Sequence, residues 1–148
     1  MIPIIPAELK VLSITGLKRD EGFRPKPYKC TAGKLTIGYG RNIEDIGISE
    51  RESIFLLEND IQYSYQKLYA VIPIFKELDI IRQYVLLNMC FNMGISRFVK
   101  FVKMLAALER KDYEIAAKEM LDSNWAVQVG MRATRLANLM RTGLVLDK

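Results

Sequence analysis

The spacing of hydrophobic residues changes several times along the 148-residue chain. From about 7 to 19, leucine and isoleucine recur at helical spacing, which predicts a first helix that starts after Pro6 and ends near Glu21. From 28 to 41, apolar and polar residues alternate, which predicts strands, and Thr-Ala-Gly-Lys at 31–34 predicts a hairpin turn. A helix followed by a small antiparallel sheet is therefore expected at the amino-terminal side.

Helical spacing returns after Ser49 and persists to the end of the chain. Ser49 and Glu52 match a capping box, which predicts a helix of roughly twenty residues that ends before Pro73. The segment 79–94 is apolar on nearly every side, which predicts a helix that is buried all round. Further helices are predicted at 96–109, at 112–122 with Asp112 as N-cap, and at 124–143, where one or two helices end at Gly143.

These elements predict an α+β, mainly α fold in a single domain, residues 1–148, with two lobes. A small β lobe is expected at about 21–60. A larger helical lobe is expected to combine 1–20 with 73–148, and the long helix at about 49–72 is expected to join the two lobes.

The composition is that of a globular protein, with half of the residues hydrophobic and 26% charged. The formal net charge of +5 is consistent with an anionic partner such as nucleic acid, lipid or an acidic polymer, but the charges are scattered. We predict no nucleic-acid binding, because the chain has no basic stripe with interleaved aromatic residues. The absence of histidine argues against a histidine-based triad, and we predict no metal and no cofactor.

Two further features bear on the cellular setting. Cys30 and Cys90 are far apart and form no CxxC motif, which excludes a zinc knot and disfavours a disulfide framework. The first residues contain two prolines and the charged residues Glu8 and Lys10, which is unlike a signal peptide. The chain has no apolar run long enough to span a membrane, so we predict no stable membrane insertion. Synthesis in the cytoplasm with reduced thiols is therefore expected.

The segment DEGFRPKPYKCTAGKLTIGYG, residues 20–40, carries the candidate chemistry. Glu21 is expected at the carboxyl end of the first helix, where the helix dipole favours the protonated carboxyl that a general acid needs. Cys30 precedes the hairpin turn, and Thr36 is expected on the strand face opposite its apolar neighbours, which would cover a small core. The three side chains can then line one wall of a cleft. Each also has an ordinary structural reading, as a solvated helix end, a small hydrophobe and a strand residue.

The pattern D-E-G-x-R-x-x-x-Y-x-C-T-x-G-x-x-T-I-G-Y-G resembles the phage lysozymes of the T-even type, glycoside hydrolase family twenty-four. Their signature is Glu, eight residues, Asp or Cys, five residues and Thr, and Glu21, Cys30 and Thr36 fit this spacing. Segments 86–94 and 124–143 resemble the central-helix and carboxyl-terminal motifs of that family. A lysozyme-like two-lobe fold is what the resemblance implies.

The resemblance implies a muramidase that hydrolyses the β-1,4 bond between N-acetylmuramic acid and N-acetylglucosamine in bacterial peptidoglycan. Glu21 would be the proton donor and Thr36 would hold the attacking water. Cys30 stands where many relatives carry aspartate, and three roles stay open: base toward water, nucleophile, or positioning of the water. An ordinary thiol is only a few per cent thiolate at pH 7, so a role in charge stabilisation needs a lowered pKa.

The resemblance also implies supporting residues elsewhere in the chain. Arg132 would pair with Glu21, while Asn92 and Gln128 would bind substrate at the cleft. Two further ion pairs are implied, Arg135 with Asp20, and Arg41 with Asp60 where relatives have histidine in place of the arginine.

The expected setting is lysis of a bacterial host by a monomer that is made in the host cytoplasm and acts on the cell wall in the periplasm. An endolysin without a signal peptide would need a holin for its export. Two alternatives are a non-catalytic peptidoglycan-binding or inhibitory module that retains the fold, and a lytic transglycosylase.

Overall fold

A computed structural model describes residues 1–145 and confirms the mainly α, α+β class. Helices account for 66% of the residues, and the strands form one three-stranded antiparallel sheet in the order β1-β2-β3. The chain divides into two compact units, Met1–Ile54 and Phe55–Lys148, with the boundary inside the long helix α2. Among the helices that the structure describes, none is both long and apolar enough to cross a bilayer. The predicted assignment of residues 1–20 to the helical lobe stays a prediction.

The first unit contains one helix, the sheet and the start of the long helix. Its elements are α1 (Ala7–Glu21), β1 (Arg24–Lys29), β2 (Leu35–Gly38), β3 (Arg41–Asn42) and the first residues of α2 (Glu50–Val71). The predicted hairpin turn at 31–34 is confirmed, because the Cys30 N–H donates to the Lys34 carbonyl oxygen at 3.0 Å and the Gly33 N–H to the Cys30 carbonyl oxygen at 2.8 Å. Strand β1 begins earlier than predicted and includes two prolines, which an edge strand tolerates.

The two faces of strand β2 are the reverse of the prediction. Thr36 is buried, with 3% of its surface exposed, whereas Leu35 and Tyr39 are 37% and 45% exposed. The prediction assumed that the more apolar face of the strand would be the covered one. Thr36 tolerates burial because its hydroxyl donates to the Lys34 carbonyl oxygen at 2.9 Å, which satisfies the polar group.

The second unit is helical. After α2 come a 3-10 turn (Pro73–Glu77), α3 (Ile80–Met93), α4 (Ile95–Phe98), α5 (Val102–Glu109), α6 (Tyr113–Leu121), α7 (Asn124–Val129) and α8 (Met131–Thr142). The core is rich in methionine and aromatic residues, and its fully buried members include Phe75, Leu86, Met89, Phe98, Met104, Met120 and Met140. The predicted Asp112 cap is confirmed, since its carboxylate accepts from the Ile115 N–H at 3.1 Å.

Two helix predictions for this unit are wrong. The single helix at 96–109 is interrupted between α4 and α5, because Phe101 leaves the helical region with a ψ of 57°. Helix α3 is not buried all round: Val85, Leu86, Met89 and Cys90 are buried, but Tyr84 and Phe91 are exposed. The buried positions fall on one face of the helix, so its apolar composition does not correspond to burial on every side.

Helix α8 ends as predicted at Gly143, which has a φ of +66°. The Arg82 guanidinium, on α3, donates to the carbonyl oxygens of Met140 at 2.7 Å and Arg141 at 3.1 Å. A Cβ on Gly143 would lie 2.7 Å from Arg82 Nη1. Glycine is therefore required here both for the left-handed backbone and for the close approach of the arginine.

Candidate active site

Glu21 is the last residue of α1, and its carboxylate lies against Gly40. Gly22, with a φ of 70°, ends the helix. A Cβ built on Gly40 would lie 2.9 Å from Glu21 Oε2, and Gly40 itself has a φ of 81°. Glycine therefore suits this backbone conformation, and any larger residue would make the Glu21 carboxylate shift from its position. Sequence analysis did not identify this contact, although the TIGYG pattern contains the residue.

Aromatic contacts tie the end of α1 to the segment after β2. The rings of Phe23 and Tyr39 lie 5.4 Å apart between centroids, and the Lys18 ammonium lies 5.5 Å from the Tyr39 ring centroid. These contacts join the chain segments next to Glu21 and Gly40.

Cys30 and Thr36 come together at the hairpin, as the sequence predicted. The N–H groups of Lys34 and Ala32 point at the Cys30 sulfur and lower the pKa of the thiol, and the Thr36 hydroxyl adds a smaller effect in the same direction. The Thr36 hydroxyl has one proton, which it donates to the Lys34 carbonyl oxygen, so the backbone N–H groups are the main cause. Cys30 is half-buried, and its environment favours the thiolate.

The second cysteine has the opposite environment. Cys90 lies in the core on α3, and burial raises the pKa of its thiol. Only Cys30 of the two therefore has the environment of a reactive thiol.

All three residues of the predicted signature lie in the first unit. Thr36 and Gly40 are four residues apart, and an extended chain spans at most ~3.6 Å per residue, so their Cα atoms lie within about 14 Å of each other. Glu21 packs against Gly40, which brings the carboxylate to the same sheet segment as the Cys30–Thr36 pair.

Asn92 and Gln128 come together in the second unit, where both line a pocket of about 740 Å³. The indole N–H of Trp125, which lines the same pocket, donates to the Asn92 side-chain oxygen at 2.9 Å. This bond fixes the orientation of the Asn92 amide, so that its NH₂ group remains as the donor. Their role in substrate binding stays a prediction.

Arg132 belongs to a different, smaller pocket of about 250 Å³. Its Nε donates to the Asn88 side-chain oxygen at 2.9 Å, and the Asn88 amide donates to the Tyr84 hydroxyl at 3.3 Å. Sequence analysis missed Asn88, although it stands one helical turn before Asn92 in the same motif. The pairing of Arg132 with Glu21 stays a prediction.

Comparison with known proteins connects this geometry to a family. The family model described as phage lysozyme matches residues 18–142, which include Glu21, Cys30, Thr36 and Arg132. The chain belongs to the phage lysozyme family. This membership gives it a lysozyme-type function and the chemistry of a glycoside hydrolase.

Individual members of the family are about one-third identical to the chain. Probable T4-type lysozyme 1 of Dictyostelium discoideum is 32% identical over 156 aligned positions, which cover 86% of the chain and 92% of that protein. An endolysin of Acyrthosiphon pisum secondary endosymbiont phage 1 is 30% identical, and the aligned region covers 84% of the chain and 85% of that endolysin. The pre-baseplate central spike protein Gp5 of Enterobacteria phage T4 is 32% identical, with 86% of the chain matching 27% of that protein. The chain therefore matches most of the length of the first two proteins and about a quarter of the length of the third.

Arg41 pairs with Glu52, so the predicted pair with Asp60 is wrong. Arg41 Nη1 donates to Glu52 Oε2 at 2.8 Å and to the Gly47 carbonyl oxygen at 3.1 Å. Glu52 is already held at the start of α2, because its carboxylate accepts from the Ser49 N–H at 2.8 Å while its own N–H donates to the Ser49 hydroxyl at 3.1 Å. The predicted capping box is therefore confirmed, and it presents the glutamate to the arginine.

The Arg41–Glu52 pair predicts a specific pH dependence of stability. Arg41, followed by the Ser49 N–H, lowers the pKa of Glu52 to about 2. The stabilisation is therefore complete above the unfolded-state pKa of about 4.3 and is lost as the pH falls through about 2. We expect Glu52→Gln to lower Tm at pH 7 and to flatten the decline of Tm across this acidic window, as measured by thermal melts followed by circular dichroism. Glu58→Gln, which removes an exposed carboxylate from the same helix, is the control; identical acid limbs for wild type and Glu52→Gln would contradict the prediction.

Gly40→Ala is expected to reduce glycosidase activity more than its effect on stability explains. The alanine adopts a positive φ at a cost of roughly 1–2 kcal/mol, and its methyl group displaces the Glu21 carboxylate. Gly47→Ala is a matched control, because Gly47 has a φ of +69° but no atom within 4 Å of an added Cβ. We expect similar losses of Tm in the two variants and a loss of activity, of about tenfold or more, only in Gly40→Ala. Equal activity in the two variants would show that the contact with Glu21 is unimportant.

Proposed function

We propose that the chain is a muramidase that hydrolyses the β-1,4 bond between N-acetylmuramic acid and N-acetylglucosamine in bacterial peptidoglycan and so lyses bacteria. The observation that carries the proposal is the position of Glu21, Cys30 and Thr36 within one unit and within the segment that matches the phage lysozyme family. The contact of Glu21 with Gly40 supports it, because a general acid must be held in place.

In this mechanism Glu21 protonates the oxygen of the leaving sugar. The bond then breaks through a transition state with oxocarbenium character, and negative charge on the opposite side of the sugar stabilises it. The Thr36 hydroxyl donates its proton to the Lys34 carbonyl oxygen, so it meets the attacking water as a hydrogen-bond acceptor. It therefore orients the water, and the proton of the water passes to the Cys30 thiolate where that thiolate acts as the base.

Cys30 supplies the negative charge in this proposal. The backbone N–H groups that lower its pKa favour the thiolate, which takes the place of the aspartate found in many relatives. If the thiolate acts as a base or positions the water, the product has the inverted anomeric configuration. If it attacks the sugar, a thioglycosyl intermediate forms and the configuration is retained.

Residues of the second unit complete the proposal. Asn92 and Gln128 bind the saccharide from the pocket that they share. Arg132, already oriented by Asn88, places the Glu21 carboxyl. The protein acts as a monomer, is made in the host cytoplasm and reaches the wall in the periplasm, with a holin for export if it is an endolysin.

Digestion of purified peptidoglycan tests the proposal. We expect soluble fragments with reducing N-acetylmuramic acid ends in mass spectra, and loss of turbidity of chloroform-treated Gram-negative cells. Anhydro ends would instead identify a lytic transglycosylase. Binding to the wall without any released fragment would identify a non-catalytic module. Proton magnetic resonance measures the anomeric configuration of the product that is released first. An inverted product indicates that Cys30 acts as a base or positions the water, and a retained product indicates that it acts as a nucleophile.

A further inference from the structure

We propose that Lys34 is a positioning residue, whose ion pairs with Glu44 and Asp45 hold Cys30 and Thr36 in the geometry that hydrolysis needs. The part of this proposal that concerns hydrolysis rests on the proposed muramidase function. The part that concerns the position of the Cys30 thiol does not depend on it.

The backbone of Lys34 contacts both residues. Its carbonyl oxygen accepts from the Cys30 N–H at 3.0 Å and from the Thr36 hydroxyl at 2.9 Å. Its N–H points at the Cys30 sulfur. A shift of this one peptide segment therefore moves the partners of the thiol and of the hydroxyl together.

The side chain of Lys34 fixes that segment to the loop after β3. The ammonium lies 3.2 Å from Glu44 Oε2 and 3.1 Å from Asp45 Oδ1. The other oxygen of Glu44 accepts from the Leu35 N–H at 3.5 Å, next to Lys34 in the chain. The loop thus holds the hairpin through both a side chain and the backbone.

The loop itself is held in place, so it can serve as an anchor. The Asp45 N–H donates to the Asn42 side-chain oxygen, and the Asn42 amide donates to Asp45 Oδ2, each at 3.0 Å. Arg41 donates to the Gly47 carbonyl oxygen and pairs with Glu52 at the start of α2. Lys34 therefore adds an ionic link, beside the backbone bonds of Leu35, from the hairpin to a loop that the capped end of a helix fixes.

These ion pairs serve local geometry more than global stability. The side chains of Lys34, Glu44 and Asp45 are 41%, 43% and 51% exposed, and ion pairs this exposed contribute little to the free energy of unfolding. The backbone bonds of the hairpin, among them those of the Leu35 carbonyl oxygen with the Ile43 N–H at 2.9 Å and the Glu44 N–H at 3.3 Å, remain when the ion pairs are lost. Loss of the lysine charge should therefore change the environment of the thiol while the protein remains folded.

The experiment compares Lys34→Met with Lys34→Arg, with the double variant Glu44→Gln/Asp45→Asn, and with Lys26→Met. Lys26 is an exposed lysine of β1, for which residues 1–145 show no ion pair, so its substitution makes the same charge change without breaking the link. Alkylation of Cys30 by iodoacetamide is measured between pH 5 and 10 by mass spectrometry of the Cys30 peptide, alongside lysis and Tm. Buried Cys90 reports unfolding in the same spectra.

We expect Lys34→Met and the double variant to alkylate about three- to tenfold more slowly at pH 7, with the midpoint at higher pH, because the N–H groups that favour the thiolate move away. Lysis should fall about tenfold or more, while Tm changes by only a few degrees. Lys34→Arg, which restores the charge, should recover most of both readouts.

Alkylation profiles of Lys34→Met and of the double variant that match Lys26→Met would overturn the proposal. If Lys34→Met does not fold, the double variant alone decides, since it leaves the hairpin sequence intact. If the wild type releases no fragments from peptidoglycan, the muramidase proposal fails, and the alkylation profiles still decide the positioning role.

Discussion

Substitution of Glu21 by glutamine is expected to slow peptidoglycan hydrolysis at least about a hundredfold while the fold stays intact. Glutamine keeps the shape of the side chain, so the contact with Gly40 survives, but it has no acidic proton to give to the leaving oxygen. Turbidity loss and product release measure the rate, and circular dichroism with Tm measures the fold.

A matched control for this variant lies on the same helix. Glu8→Gln removes an exposed carboxylate from the first turn of α1 and should leave the rate unchanged. A Glu21→Gln enzyme within about threefold of the wild-type rate would defeat the assignment of the general acid. A large loss in both variants would point to the charge of the helix instead.

Alkylation of Cys30 in the folded protein is expected to abolish lysis in proportion to labelling. The thiol is half-buried, its pKa is lowered, and in the proposed mechanism the group added by iodoacetamide would occupy the space of the attacking water. A bound peptidoglycan fragment should protect the thiol. Intact-mass measurements against residual lysis give the proportionality.

Substitutions of Cys30 distinguish the effect of its negative charge from the effect of filling the space around it. Cys30→Asp should remain active, because it restores the residue that many relatives carry, whereas Cys30→Ala should lose much of the rate. Cys90 is the internal control, since it should stay unlabelled until the protein unfolds. Full labelling of Cys30 with wild-type lysis would show that the thiol lies outside the site.

Features of the fold that depend on neighbouring residues were predictable from sequence. The Ser49–Glu52 capping box, the Asp112 cap, the hairpin turn and the stop at Gly143 are all local hydrogen-bonding or backbone requirements, and the structure contains each of them. Features that depend on tertiary packing were not. Composition alone did not show which side of α3 or of β2 would be covered, because that depends on which elements pack against them.

The candidate site divides in the same way. The spacing of Glu21, Cys30 and Thr36 identified the residues, and the structure places Cys30 and Thr36 at one turn. The sequence did not identify Gly40, which contacts a residue distant in sequence, or Lys34, which forms ion pairs with a later loop. Likewise, Arg41 pairs with Glu52 and not with the predicted Asp60, because the helix cap holds the Glu52 carboxylate in place.

The bond between Trp125 and Asn92 has a practical consequence. Trp125 is the only tryptophan of the chain, it is 6% exposed, and its indole N–H is committed to the amide of a pocket residue. Its tryptophan fluorescence therefore comes from a single place, and a sugar bound at Asn92 or Gln128, as proposed, would change the polarity and hydrogen bonding around that one fluorophore. Under the proposed function, this tryptophan would serve as a native optical reporter of saccharide occupancy, including in variants that bind the sugar but cannot hydrolyse it.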